Sequence, residues 1–148
     1  MKLPALFAIA ISLLLLGCTS TAPQSLGPKD AIVYKSESCG CCSSYTEFLD
    51  SWGFSTTKVN TDMDALFAKY NIPRELQSCH LTQFQNYFVI GHVPKEVVDK
   101  LMAEQPDIDG ISLPDMPTGT PGMPGPRPEN LTIYSIKGGK SGIYMQIK

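Results

Sequence analysis

An α/β domain with a mixed β-sheet, flanking helices and a C-terminal β-hairpin is the fold class that this sequence predicts. Three observations carry it. Short β-prone apolar runs alternate with segments of helical period, in the order β-α-β-α-β-α-loop-β-β. The last two runs flank Lys137-Gly138-Gly139-Lys140, a hairpin signature. The length of 148 residues, with 43% hydrophobic and 18% charged residues, fits one domain and excludes disordered, coiled-coil and collagen-like chains.

Ala31 to Tyr34 is a short apolar run bounded by Pro28 and by Ser36 to Ser38, and predicts a buried strand. Beyond Cys39-Gly40-Cys41-Cys42 the period changes: Tyr45, Phe48, Leu49 and Trp52 fall at i, i+3, i+4 and i+7. This predicts a helix over 41–52 that buries Tyr45, Phe48 and Trp52 and stops at Gly53. Phe54 to Val59 predicts a second strand. Thr61 with Asp64 three residues on marks a helix start, and Pro73 closes that helix beyond Tyr70.

Residues 74–86 are polar and read as irregular, with Ser78-Cys79-His80 inside them. Tyr87 to Ile90 is the next strand. Pro94 suits the first position of a helix to Gln105, with Val97, Val98, Leu101 and Met102 inward. Residues 114–128 hold six prolines and three glycines in 15 positions, together with Met116 and Met123, and predict a long irregular loop. Leu131–Ile136 and Ile143–Gln146 are the hairpin strands. There are no internal repeats.

The N-terminus predicts a targeting segment. Lys2 is followed by a 13-residue apolar run, Pro4 to Leu16, which suits a signal-peptide core and is short for a membrane span. Leu15-Leu16-Gly17-Cys18 resembles the lipobox of bacterial lipoproteins. That resemblance implies cleavage after residue 17 and lipidation of Cys18. By resemblance to lipoprotein sorting patterns, Thr19 after the cysteine favours an outer-membrane destination, on the periplasmic side, in a cell that has an outer membrane. Residues 1–17 are then the signal peptide and 18–29 the lipidated N-terminus and tether, rich in Ser, Thr, Pro and Gly. Residues 30–148 form the folded domain. The net charge of −2, with no basic run, excludes the electrostatic footprint of a nucleic-acid binder.

The chemistry lies in the cysteines. Cys39 and Cys42 have C-x-x-C spacing between the first strand and the first helix, where thioredoxin-like folds carry theirs. A helix N-terminus offers free N–H groups and a positive dipole end, both of which favour thiolate. Cys41 is a third thiol on the same turn, which suits a dithiol exchanger poorly because it invites off-pathway bridges. With Cys79 there are four soft ligands, which select Cu(I), Zn(II) or iron–sulfur centres. Copper is favoured outside the cytoplasm, although the spacing does not choose. If the four close into disulfides instead, bridging neighbours Cys41 and Cys42 is strained. That leaves 39–42 with 41–79, or 39–41 with 42–79. His80, His92, Met116 and Met123 are auxiliary candidates, as ligands or as supporting donors.

Several blocks recur together in one known family. They are Tyr34-Lys35-Ser36 before Cys39-Gly40-Cys41-Cys42, then Ser78-Cys79-His80, Gly91-His92-Val93-Pro94, and Leu113-Pro114 through Met116-Pro117 to Gly119-Thr120-Pro121-Gly122-Met123. Over residues 30–147 the chain resembles the periplasmic CopG-like copper-binding proteins, which are unrelated to the ribbon-helix-helix repressor of that name. The resemblance implies a thioredoxin-like fold and a copper-resistance setting beside efflux or chaperone proteins. It also implies a role for Cys39, Cys41, Cys42 and Cys79 in holding Cu(I) or closing into disulfides. Two features depart from it: the lipobox, and the lack of an evident proline facing the C-x-x-C ahead of a strand. The leading expectation is extracytoplasmic Cu(I) binding coupled to thiol redox. The competing ones are a thiol–disulfide oxidoreductase, with Cys39 and Cys42 as its redox pair, and a disulfide-stapled interaction domain.

Overall fold

A computed structural model describes residues 26–148. The expected signal segment, Cys18 and most of the tether lie outside the described residues. Strand β1 (Asp30–Lys35) leads into helix α1 (Gly40–Ser51), strand β2 (Ser55–Asn60) and helix α2 (Met63–Lys69). A short 3-10 turn (Arg74–Leu76) precedes strands β3 (His80–Phe84) and β4 (Tyr87–Ile90). Helix α3 (Lys95–Glu104) and strand β5 (Gly110–Ser112) follow, and the long loop then leads to the hairpin β6 (Leu131–Lys137) and β7 (Lys140–Ile147).

All seven strands form one mixed sheet in the order β2-β1-β3-β4-β5-β6-β7. β1 pairs parallel with β2 and antiparallel with β3, and β4 pairs parallel with β5 across the α3 crossover. The first four strands and three helices are compatible with the thioredoxin-like expectation, and β5 to β7 extend the sheet beyond them.

Strand alternation sorts the core onto two faces. Ala31, Val33, Phe84 and Val89 meet Tyr45 and Leu49 of α1 and Val97, Val98 and Leu101 of α3. Leu81, Phe88, Ile90 and Ile136 meet Phe67 of α2 and Leu76 on the other side. The result is helix, sheet, helix in three layers, with α1 and α3 sharing one side. Burying each such large apolar side chain contributes about 1.5–3 kcal/mol.

Four differences from the sequence expectation have physical causes. Phe48, expected in the core, is 43% exposed, because the inward stripe of α1 is narrower than its apolar stripe: Tyr45 and Leu49 are buried and Trp52 only partly so. Residues 74–86 are not irregular throughout, since they contain β3, whose His80 and Thr82 face the α1 side as buried polar residues. β5 is a third difference, an unexpected strand only three residues long, in which Gly110 lets the Phe88 ring and carbonyl approach to within 2.2 Å of where a Cβ would stand. The helix start expected at Thr61 is one residue later: Asp62 caps α2 by accepting from the N–H groups of Asp64 and Ala65.

Candidate metal centre

The chain delivers three cysteines to one turn. β1 ends at Lys35, whose buried Nζ donates to the carbonyls of Ser36 and Glu37 and so folds the short connection back. The Cys39 N–H donates to the Ser36 carbonyl, and Cys39 is the N-cap of α1. The Cys39 side chain makes no capping hydrogen bond among the described residues, and the first turn of α1 has no acidic residue. Its free N–H groups and dipole therefore face the sulfurs alone.

Cys39 and Cys42 are joined as a disulfide with Cα atoms 5.5 Å apart, while Cys41 and Cys79 carry free thiols. Cys41 Sγ lies 3.6 Å from Cys39 Sγ. Cys79 is 37 residues beyond Cys42, and it arrives because it immediately precedes β3, whose His80 is the register partner of Lys35. All four sulfurs lie within 4.8 Å of one another. Cys42 is fully buried and the other three are partly open.

A second set of donors shares Cys79. Its Sγ is 3.3 Å from Nδ1 of His80 and 3.3 Å from Nε2 of His92. Both imidazoles are fully buried, and Cys79, His80 and His92 place their ligand atoms within 4.8 Å of one another. Tyr45 walls this set from the α1 side, its ring 4.7 Å from His80 and 5.4 Å from His92, while its hydroxyl donates to the Val93 carbonyl at 2.9 Å. Nε2 of His80 and the hydroxyl of Ser78 are buried without a hydrogen-bond partner among the described residues.

Burial governs the electrostatics. It pushes the Cys79 thiol up to about 12, with the neighbouring Cys41 adding to the effect, so Cys79 is protonated at neutral pH. The thiolate-favouring effect expected at the helix terminus thus does not extend to Cys79, which sits on the sheet side. Burial, and then His92, lower His80 to about 3. His92 is also lowered by burial, against a smaller opposing effect of the Pro121 carbonyl. Both rings are neutral at pH 7, with lone pairs to give. Two neutral imidazoles and up to four sulfurs make a donor set suited to a soft or borderline cation.

The other sequence candidates separate. Met116 lies in the loop, 37% exposed, at a left-handed backbone position. Met123 lines an open groove of about 730 Å³ with Phe48, Trp52 and Pro94, which accounts for the exposure of Phe48. The long loop nevertheless reaches the centre through its main chain. Nδ1 of His92 is 2.7 Å from the carbonyl oxygen of Pro121. At Gly122, with φ +81°, a Cβ would stand 2.8 Å from the Tyr45 nitrogen and 3.2 Å from the Cys41 carbonyl. Sequence reasoning missed this contact, and its only trace is the Pro121-Gly122 pair in a turn-forming run.

The family described as "Protein of unknown function, DUF411" matches residues 76–123, the stretch from the 3-10 turn through Cys79, both histidines and the loop. Two solved structures, titled "Copper resistance protein copG- Form 1" and "Form 2", are each 31% identical to the chain. They have TM-scores of 0.72 and 0.73, cover 81% and 82% of this chain, and are themselves covered over 98% and 100% of their length. The chain belongs to the CopG-like DUF411 family. No curated protein matches the chain. For a CopG-like protein the matched segment is informative, because it holds Cys79, His80, His92 and Gly122 but not the Cys39–Cys42 turn.

Proposed function

We propose that this protein binds Cu(I) outside the cytoplasm through Cys39, Cys41, Cys42 and Cys79, and couples that binding to thiol redox in copper resistance. The observation that carries the reading is the convergence of four sulfurs within 4.8 Å of one another, one of them brought from 37 residues away. Thiolate sulfur is the preferred donor for Cu(I). The names of the two similar structures support copper over Zn(II) or another soft ion. His80 and His92 are auxiliary donors at Cys79.

The Cys39–Cys42 disulfide supports the redox half of the proposal. Closing one bridge from two thiols releases two electrons and two protons, which reduces two Cu(II) ions to Cu(I). Reopening it requires two thiols, as in a partner's dithiol, or another two-electron donor. Binding and bridging compete for the same sulfurs, so oxidation weakens Cu(I) binding and bound Cu(I) protects the thiols. In this reading the protein is a lipoprotein anchored through Cys18 on the periplasmic side, in the outer membrane, and passes copper to efflux or chaperone proteins.

The test is anaerobic titration of the fully reduced domain with Cu(I), read by mass spectrometry of the intact complex and by competition with a Cu(I) chelator. Binding that is lost on oxidation and weakened at least tenfold in Cys79→Ser is the expected result. Reduced protein that takes up no Cu(I), or a Cys79→Ser variant with unchanged stoichiometry and affinity, overturns it. Cys39 and Cys42 also form a bridged C-x-x-C pair at a helix N-terminus, which favours thiol–disulfide exchange as a second reading. Insulin reduction at rates typical of exchange enzymes, with no Cu(I) uptake, would promote it.

A further inference from the structure

His92 meets two different partners with its two ring nitrogens. Nδ1 is 2.7 Å from the Pro121 carbonyl oxygen and Nε2 is 3.3 Å from Cys79 Sγ. A carbonyl oxygen only accepts, so Nδ1 must be the nitrogen that carries the hydrogen. A neutral imidazole has one N–H, so Nε2 is left with its lone pair directed at the sulfur. We propose that the main-chain carbonyl of Pro121 is a positioning group that locks His92 in the Nδ1–H tautomer, and that the proline- and glycine-rich loop is the strap that holds this carbonyl in place.

The strap is built for that task. The Thr120 hydroxyl, itself buried, donates to the Pro117 carbonyl, and the Thr118 hydroxyl donates to the Pro126 carbonyl. The Gly119 N–H donates to the Met123 carbonyl, and the Met123 N–H to that of Thr120. Arg127 pairs with Glu96 of α3 at 3.1 Å, which ties the far end of the strap to the helix that follows His92. Gly122 is the point of closest approach: at φ +81° a side chain is strained, and its Cβ would sit 3.3 Å from His92 Nδ1 and 2.8 Å from the Tyr45 nitrogen. A strap one methyl group bulkier at this point withdraws the carbonyl.

Released from that carbonyl, His92 is free to take the Nε2–H form, which turns a hydrogen instead of a lone pair toward Cys79. The tautomer lock stands whether or not the centre takes copper. Its consequence for metal rests on the Cu(I) reading above, because an orienting partner of a ligating histidine typically changes metal affinity 10- to 100-fold.

Long-range ¹H–¹⁵N correlation of the metal-free domain at pH 7 tests the lock directly. His92 is expected as the Nδ1–H tautomer in the wild type and in Pro121→Ala, which keeps the carbonyl, and as a mixture or the Nε2–H form in Gly122→Ala. An Nε2–H signal in the wild type overturns the proposal, even if Gly122→Ala fails to fold. A tautomer unchanged in folded Gly122→Ala overturns the role of the strap, and its loss in Pro121→Ala overturns the assignment to the main chain. Chelator competition with Cu(I) is the second arm, in which Gly122→Ala is expected to bind 10- to 100-fold more weakly. Wild-type affinity in that variant, with the tautomer shifted, overturns the positioning role. Absence of Cu(I) binding by the wild type sinks the copper reading and leaves the lock standing.

Discussion

At the scale of single residues the centre is a contest between burial and chemistry. His80 is the clearest case. An imidazole held at about 3 stays neutral throughout the acid range in which the unfolded chain, near 6.5, takes up a proton. The folded pKa is depressed, so its contribution to stability is intact above about pH 6.5 and is lost progressively as the pH falls toward 3. The slope approaches about 1.4 kcal/mol per pH unit in that window. Urea unfolding of the metal-free protein at pH 7, 5.5 and 4.5 should show this loss, and His80→Gln should flatten it. The free thiols offer a second check. Under mild oxidation, alkylation of the denatured protein should mark Cys41 and Cys79 and leave Cys39 and Cys42 protected. Stronger oxidant should remove Cys41 and Cys79 together as they bridge, and Cys79→Ser should leave Cys41 alkylatable. Independent loss of Cys41 in that variant would show that it pairs elsewhere. Spacing placed Cys39, Cys41 and Cys42 on one turn, and the inventory named Cys79, but only the pairing of β1 with β3 brings Cys79 to them. The Pro121 carbonyl was not legible, because a main-chain acceptor has no signature of its own in a sequence.

At the scale of elements, α1 decides most. Its apolar stripe is wider than its buried stripe, and substitution should separate the two. Leu49→Ala should cost about 3 kcal/mol, as a fully buried leucine does, and Phe48→Ala should cost less than about 1 kcal/mol. Equal costs from denaturant unfolding would mean that the helix faces the sheet differently. Helical period showed where α1 and α3 lie, since Leu49, Val97, Val98 and Leu101 repeat with the turn. It could not show that Phe48 lines a groove with Met123 and Pro94, a juxtaposition that only the loop creates. β3 escaped notice for the opposite reason. His-Leu-Thr-Gln-Phe puts polar side chains on the face that packs against α1, so the usual alternation of apolar inside and polar outside is absent. A strand that serves the site is written in the residues of the site. β5, at three residues, is too short for any period to emerge.

At the scale of the molecule, the domain and its N-terminal segment pose separate questions. The anchor reading rests on Leu15 to Cys18, and fractionation tests it: Cys18→Ser should move the protein from the membrane pellet to the soluble fraction or leave it unprocessed. A wild-type protein that is already soluble with an unmodified mature N-terminus would end that reading. The topology adds a geometric point. The chain enters β1 beside the β3–β4 turn, where Leu26 lies with Gln85 and Asn86. The sulfurs cluster where β1 ends, six residues on, about 20 Å away at the rise of an extended strand. Entry and cluster are therefore at opposite ends of one strand. If the N-terminal segment is a membrane anchor, it joins the domain at the end of β1 remote from the thiols, like a cord at the far end of a lamp. A partner would then meet them from the open compartment, without first having to approach the surface that holds the cord.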